Sequence, residues 1–153
     1  MDVRIEVDDL TRPAVLALLD EHLAEMRATS PPCSVHALDL DGLRAPGVTV
    51  WTLWEGEEVL ACAALTPLSE GEGELKSMRT TAAARGRGFG ARMLEHVLAE
   101  ARARGLRRVS LETGAEPHFA PARRLYERHG FEVCAPFGSY RLDPLSVYYT
   151  REL

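Results

Sequence analysis

The sequence has few cysteines and no long apolar run, and both absences limit what the chain can be. Its 153 residues include three cysteines, Cys33, Cys62 and Cys134, which are far apart and odd in number. That usage is typical of reduced thiols rather than of a disulfide framework or a zinc site. No apolar stretch approaches the roughly 18 residues of a membrane span, and the acidic start MDVRIEVDDL has no signal-peptide core. We therefore expect a cytoplasmic protein with no metal site and no membrane partner.

Lysine is also scarce, because 17 of the 18 basic residues are arginine. The charges are unevenly distributed along the chain. Residues 1–74 contain 15 acidic residues and four arginines, whereas residues 75–153 contain 14 basic and eight acidic residues. A basic half can bind an anionic ligand and an acidic half can attract a cationic one, although both can equally be solvated faces. We expect no nucleic acid partner.

The order of the predicted elements indicates one mixed α/β domain over residues 1–153. An antiparallel hairpin is predicted over Val48–Trp54 and Glu58–Leu65, followed by a strand in GEGELKSMRTT. Amphipathic helices are predicted over Phe89–Arg104 and Pro117–His129, with the strand RRVSLET between them. The segments FEVCAPF and SVYYTREL are predicted to close the sheet as strands.

A glycine-rich loop, GRGFGA over residues 86–91, precedes the first of these two helices. One interpretation is the dinucleotide fingerprint G-x-G-x-x-[GA], with Glu112 as the acidic residue about 20 positions on. That fingerprint requires its first glycine directly after a strand, but TTAAAR separates Met78 from Gly86. The chain is also short for two mononucleotide-binding halves, and it has no G-x-x-x-x-G-K-[ST] phosphate-binding loop.

The second interpretation takes the same loop as Arg85-x-x-Gly88-x-Gly90 and predicts a site for the pyrophosphate of coenzyme A. Glycines allow successive backbone N–H groups to point into one pocket, where a Cβ would block the phosphate oxygens. The positive end of the helix that begins near Phe89 adds to the same site. Arg85 and Arg87 would supply charge-assisted hydrogen bonds.

Two segments together resemble the GNAT superfamily of N-acetyltransferases. The first is R-x-x-G-x-G before an amphipathic helix, preceded by the strand ELKSMRT. The second is ARRLYERHGFE, Ala122–Glu132, which is similar to the A-x-x-L-Y-x-x-x-G-F segment of that family. The order of elements along the whole chain resembles the family as well.

The resemblance implies an α/β (α+β) fold with a mixed, mostly antiparallel sheet of about seven strands flanked by about four helices. It implies acetyl-CoA as acyl donor, without a metal. Backbone groups of Met78, Arg79 and Thr80 would pair with the pantetheine arm. The pyrophosphate would bind the backbone N–H groups of Arg85, Gly86, Arg87, Gly88, Phe89, Gly90 and Ala91. Tyr126 would donate a proton to the departing thiolate, as a phenol of pKa about 10 can at neutral pH.

One position departs from the family. Many members carry an asparagine seven residues before this tyrosine, where it contacts the coenzyme, and here that position is Phe119. A phenyl ring cannot make that contact, so Phe119 is not included in the predicted site.

The general base has several candidates. Glu74, near the start of the central strand, matches a position where some family members hold a glutamate base, and we predict it as catalytic. Glu72 lies two residues away on the same strand face. Glu112 ends the next strand, where this fold opens its active site, and His36 lies in the segment that usually forms the acceptor wall in the family. Both are therefore predicted to contact the acceptor. His118 and Glu116 are further candidates for the lining.

The sequence therefore predicts direct transfer of an acetyl group from acetyl-CoA to a primary amine of a small molecule or a peptide. A backbone N–H of a strand would stabilise the oxyanion. The charge asymmetry favours a cationic or neutral amine over an anionic one. A non-catalytic acyl-CoA sensor on the same fold and a nicotinamide-binding redox protein remain alternatives. A homodimer is compatible with the sequence.

Overall fold

A single sheet of seven strands forms the centre of the fold in this computed structural model, which describes residues 2–29 and 40–153. The strands lie in the order β1–β2–β3–β4–β5–β7–β6. They are β1 (Val3–Val7), β2 (Thr49–Glu55), β3 (Glu58–Ser69), β4 (Glu72–Thr80), β5 (Arg108–Gly114), β6 (Glu132–Cys134) and β7 (Ser146–Glu152). Among the described strands, β4 and β5 are the one parallel pair, and all other neighbours are antiparallel.

The helices of the described residues are α1 (Pro13–Thr29), α2 (Leu40–Leu43), α3 (Phe89–Ala103) and α4 (Ala120–Arg128). This confirms the predicted fold class. The predicted helix Pro117–His129 starts instead as a 3₁₀ turn, Pro117–Phe119, before α4 begins. The predicted strand FEVCAPF is paired over Glu132–Cys134 alone, and Pro136, which has no N–H to donate, follows. Within the described ranges, no helix has both the length and the apolar character that crossing a bilayer requires.

The two faces of the sheet bury separate apolar clusters. Helix α3 covers one face with Met93, Leu94, Val97, Leu98 and Ala101, as its periodicity predicts, and none of these side chains is more than 2% exposed. Helix α1 covers the opposite face, where Val15 and Leu18 pack in the second cluster. Strands β2 and β3 supply alternate side chains to the two clusters, as the pleat of a strand requires.

The sheet divides between β4 and β5. Their pairing runs from Glu72 opposite Arg108 to Leu75 opposite Leu111 and then stops. Both strands continue beyond that point, β4 to Thr80 and β5 to Gly114. Because their ends are not hydrogen-bonded to each other, the strands enclose a wedge-shaped opening.

A β-bulge in β4 changes which side chains face each helix. Cys62 pairs with Arg79 and Ala64 with Lys76, so the two residues Ser77 and Met78 stand opposite a single residue of β3. Ser77 has a φ of +53°, an uncommon value for a residue other than glycine. Beyond the bulge Arg79 points to α1, while Met78 packs against the α3 cluster.

Candidate active site

The wedge between β4 and β5 holds a cavity of about 700 Å³. Its walls are the ends of these two strands, the glycine-rich loop at the start of α3, the 3₁₀ turn and α4, and the C-terminal half of α1. A cavity of this size is typical of small-molecule and cofactor sites. Its lining includes residues of both α1 and α3, so the cavity reaches both faces of the sheet.

The glycine-rich loop provides unpaired backbone donors. Gly86 and Gly88 have φ values of +78° and +83°, and Gly88 caps α3. The N–H of Arg92 is the first to bond back into the helix, to the carbonyl of Gly88 at 3.2 Å. The N–H groups of the preceding turn therefore have no helical acceptor, and no acidic side chain occupies that turn.

The space in front of this loop is open. A Cβ at Gly86 or Gly88 would meet no protein atom within 4 Å. The glycines are therefore not required by packing against the protein, and they leave room for a group that binds the N–H donors. An anion suits such a helix N-terminus. A 3₁₀ turn, Ala82–Ala84, stands between β4 and the loop, which disfavours the dinucleotide fingerprint.

The two predicted arginines of the loop differ in position. Arg85 lines the cavity and is half-exposed. The side chain of Arg87 is not part of the wall: its guanidinium pairs with Glu55 at 3.2 Å and lies 4.8 Å from the ring centre of Phe89. For Arg87, the backbone N–H remains as the predicted contact.

The second edge of β4 is unpaired where the coenzyme arm is predicted to bind. Met78, Arg79 and Thr80 line the cavity, and no described strand pairs with them on the side of β5. An extended ligand can add to such an edge as a further strand. The side chain of Arg79 has a separate role, because it is 8% exposed and donates to Glu21 and Glu25 of α1 at 2.7 and 2.5 Å.

Tyr126 lies in α4 on the α3 side of the wedge. It is 7% exposed and packs edge-on against Phe131, with 5.8 Å between ring centres. Burial raises the pKa of its phenol above the ordinary value of about 10, and the charge of Glu112 raises it further. The hydroxyl has no hydrogen-bond partner among residues 2–29 and 40–153. It is therefore a protonated donor that a ligand in the cavity can use.

Glu74 lies on the opposite face and is 8% exposed. Its Oε2 accepts hydrogen bonds from the Tyr140 hydroxyl at 2.5 Å and from Lys76 Nζ at 3.4 Å. Lys76 Nζ also donates to the Tyr140 hydroxyl at 2.9 Å. Burial and the adjacent Glu74 carboxylate raise the pKa of Tyr140, so its hydroxyl stays a donor. In the described part of the chain, Glu74 Oε1 has no protein donor and can accept a proton.

The other residues predicted on the acceptor side do not all lie at the cavity. Glu112 lines the cavity and accepts a hydrogen bond of 2.7 Å from Ser146. Its charge raises the pKa of Tyr126 and of Tyr140, so it is near both. Glu72 does not line the cavity and pairs with Arg107 at 3.5 Å. His36 lies outside the described residues.

Sequence reasoning missed Lys76 and Tyr140. The sequence does contain an indication for Lys76, because it is the single lysine of the chain and lies two residues after the predicted base Glu74. Tyr140 had no local signal, since its contact with Glu74 joins positions 66 residues apart. His118, a further candidate, lines the cavity and contacts Glu25 at 3.1 Å.

Phe119 lines the cavity as well, although it lacks the polar group of the family asparagine. Its ring lies directly on Gly114, where a Cβ would collide with it. The glycine at the end of β5 therefore makes room for the phenyl ring.

Comparison with known proteins agrees with this geometry. The model of the acetyltransferase (GNAT) family matches residues 15–131. The chain belongs to the GNAT family of acetyltransferases. It is 48% identical to the uncharacterized N-acetyltransferase YsnE of Bacillus subtilis strain 168, over 99% of this chain and 100% of that protein.

Solved structures of GNAT proteins share the fold. A protein of Klebsiella pneumoniae, described as an acyl-CoA N-acyltransferase, superposes with a TM-score of 0.83 at 29% identity, over 99% of this chain and 97% of that one. A Bacillus subtilis acetyltransferase in complex with CoA superposes with a TM-score of 0.70 at 18% identity, over 99% of both chains. As a member of the GNAT family, the present protein is an acyltransferase. Members of this family use an acyl-CoA donor and an amine acceptor.

Proposed function

We propose that this protein is an acetyl-CoA-dependent N-acetyltransferase that transfers the acetyl group directly to a primary amine of a small molecule or a peptide. One observation carries the proposal: the glycine-rich loop, Tyr126 and Glu74 line a single cavity, at the point where the sheet divides. The loop and Tyr126 lie on the α3 side and Glu74 on the α1 side. The donor and the acceptor can therefore meet in the wedge.

The donor side uses mainly backbone groups. The N–H groups of the loop and of the first turn of α3 would bind the pyrophosphate, with Arg85 as a nearby cation. The free edge of β4 from Met78 to Thr80 would hold the pantetheine arm in an extended form. An N–H at this edge would also stabilise the negative charge that develops on the thioester carbonyl oxygen.

Glu74 would act as the base. An amine of pKa about 10.4 is protonated at pH 7, and forming the neutral amine costs about 4.6 kcal/mol. Tyr140 and Lys76 hold Oε2 of Glu74, so Oε1 is the oxygen that takes the proton, directly or through water. The neutral nitrogen then attacks the carbonyl carbon, and the C–S bond breaks.

Tyr126 would serve the leaving sulfur. Its raised pKa keeps the phenol protonated but makes it a weaker acid than an exposed tyrosine. A hydrogen bond to the developing thiolate is therefore its main contribution, followed by transfer of the proton to the sulfur. Exchange with solvent would return a proton to Tyr126 and remove the one taken by Glu74.

The test is an assay of CoA release from acetyl-CoA over a broad panel of primary amines, with mass spectrometry of the products. We expect at least one amine to gain an acetyl group with stoichiometric release of CoA. Binding of acetyl-CoA by calorimetry without transfer to any amine would contradict the proposal and favour an acyl-CoA sensor. The cytoplasmic location and the homodimer stay predictions.

A further inference from the structure

Lys76 is a cation that lines the cavity on the α1 side, where the proposed base Glu74 also lies. Its side chain is 12% exposed, and it is the single lysine among 18 basic residues. An ammonium group has three N–H donors. Two of them go to Glu74 and to the Tyr140 hydroxyl. The third has no partner in residues 2–29 and 40–153, although Lys76 lines the cavity.

The strand register places Lys76 at the mouth of the wedge. Leu75 and Leu111 form the last paired positions of β4 and β5, so Lys76 and Glu112 are the first two residues past the split. Glu74 shares the face of Lys76, since the two are two residues apart on one strand. A cation and two carboxylates, Lys76, Glu74 and Glu112, are thus each one residue from the last paired position.

This arrangement does not suit a simple alkylammonium. Such a cation, bound at Glu74, would lie close to the Lys76 ammonium, which is 3.4 Å from Oε2 of the same carboxylate. Two positive charges on the two oxygens of one carboxylate repel each other in a site that is nearly buried. Once Glu74 takes the proton, Lys76 would also lose the nearest charge that compensates its own. A carboxylate on the acceptor removes both penalties.

We propose that the acceptor is a small zwitterion, a free α-amino acid or a similar amine with a carboxylate one or two atoms away. Its amine binds between Glu74 and Glu112, and its carboxylate takes the third N–H of Lys76. The inference rests on the proposed function and narrows it, because an amine within a peptide chain has no adjacent free carboxylate. Of the cationic or neutral acceptors that the charge distribution predicts, it keeps those with no net charge and disfavours a simple cation.

The experiment compares α-amino acids with their carboxamides as acceptors. We expect the acid-to-amide ratio of kcat/KM to be about 10- to 100-fold higher in the wild type than in Lys76→Met, the range of a hydrogen bond between charged groups. Lys76→Met keeps most of the aliphatic stem and removes the charge. Lys76→Arg should keep part of the preference. Comparing ratios between variants cancels the different amine pKa values of an acid and its amide.

Arg124→Met is the matched control, because Arg124 is an exposed cation that lines the same cavity from α4. It should leave the acid-to-amide ratio unchanged. Thermal melts of all variants would establish that they fold. An acid-to-amide ratio that is the same in the wild type and in Lys76→Met would overturn the inference.

A binding measurement separates this inference from the proposed function. Calorimetry of an amino acid against the protein saturated with CoA should show binding that weakens about tenfold or more in Lys76→Met. If no amine is acetylated but this binding is present, the proposed function fails and the carboxylate site stands. If neither acetylation nor binding occurs, both fail.

Discussion

The hydroxyl of Tyr140 donates a hydrogen bond of 2.5 Å to Oε2 of Glu74 across 66 residues of sequence. The bond fixes the orientation of a nearly buried carboxylate and occupies one of its two oxygens. A lysine reinforces it by contacting both groups, at 2.9 Å from the phenol and 3.4 Å from the carboxylate. The other oxygen, Oε1, has no donor among the described residues and so can accept a proton, as the proposed role of general base requires.

Gly88→Val should remove acetyl-CoA binding from a folded protein. A valine at a φ of +83° is strained by about 1–3 kcal/mol, and its side chain would fill the space in front of the N–H donors. Gly105→Val is the matched control, because Gly105 has a φ of +80°, equally open surroundings and a position at the other end of α3. Calorimetry with acetyl-CoA should separate the two variants. Equal affinity in both would remove the loop from the site.

Tyr126→Phe should lower kcat by about 10- to 100-fold, the range for loss of a hydrogen bond to a charged group such as the developing thiolate, with little change in affinity for acetyl-CoA. The ring and its packing are kept, and the lost hydroxyl has no partner in the described protein. Tyr149→Phe is the control: Tyr149 lies beside Tyr126, but its hydroxyl donates to Glu127 at 2.8 Å outside the cavity. That variant should lose about 0.5–1.5 kcal/mol of stability and keep its turnover. Similar kcat values for Tyr126→Phe and Tyr149→Phe would show that the Tyr126 hydroxyl has no part in catalysis and that the residue serves only in packing.

Glu74→Gln should depress kcat most at neutral pH. The defect should shrink as the pH approaches the pKa of the acceptor amine, because the free amine then no longer needs a base. Glu72→Gln changes a carboxylate of the same strand that lies outside the cavity, and its pH–rate profile should follow the wild type. Parallel pH–rate profiles for the wild type and Glu74→Gln would show that Glu74 is not the base, and Glu112 would be the next residue to test.

Tyr140→Phe should reduce kcat by about tenfold, the equivalent of one hydrogen bond to a charged group. It should also alter the pH–rate profile, since the carboxylate of Glu74 loses its orienting donor. Tyr148→Phe is suited as control, because Tyr148 packs in the same aromatic group and its hydroxyl bonds the carbonyl of Arg141 at 2.7 Å. A purely structural role would instead lower the melting temperature and leave the shape of the profile unchanged.

Acidification should destabilise the fold through His22. Burial, and then the charge of Arg79, lower the pKa of His22 from 6.5 to about 4. The unfolded chain therefore binds the proton more tightly, so the stability is complete above about pH 6.5 and decreases as the pH falls towards 4. The loss at pH 5 should be about 2 kcal/mol.

Urea unfolding at pH 7 and pH 5 measures this loss. His22→Leu should show a smaller difference between the two pH values than the wild type. His96→Gln, which changes the histidine packed on Trp51, should retain the wild-type difference. An unchanged pH difference in His22→Leu would assign acid sensitivity to other groups.

The sequence alone was sufficient for the elements whose structure depends on local rules. Glycines at 86 and 88 require positive φ, and the apolar spacing from Met93 to Ala101 places one face of α3 on the sheet. The similarity of ARRLYERHGFE to the family segment indicated Tyr126. These features were predictable because backbone conformation and helical periodicity are set by residues a few positions apart.

Only the tertiary structure determined which charges meet in the cavity. Arg87 is adjacent to the loop glycines, yet its side chain pairs with Glu55 of β2. Arg79 of β4 pairs instead with two acidic residues of α1. Lys76 lies in the cavity because the pairing of β4 with β5 ends at Leu75. Tyr140 contacts Glu74 because a segment 66 residues away in the sequence packs against β4. These pairings cannot be read from neighbouring residues in the sequence. A long side chain pairs with groups that are close to it and buried with it, and these distances are set only when the whole sheet has formed.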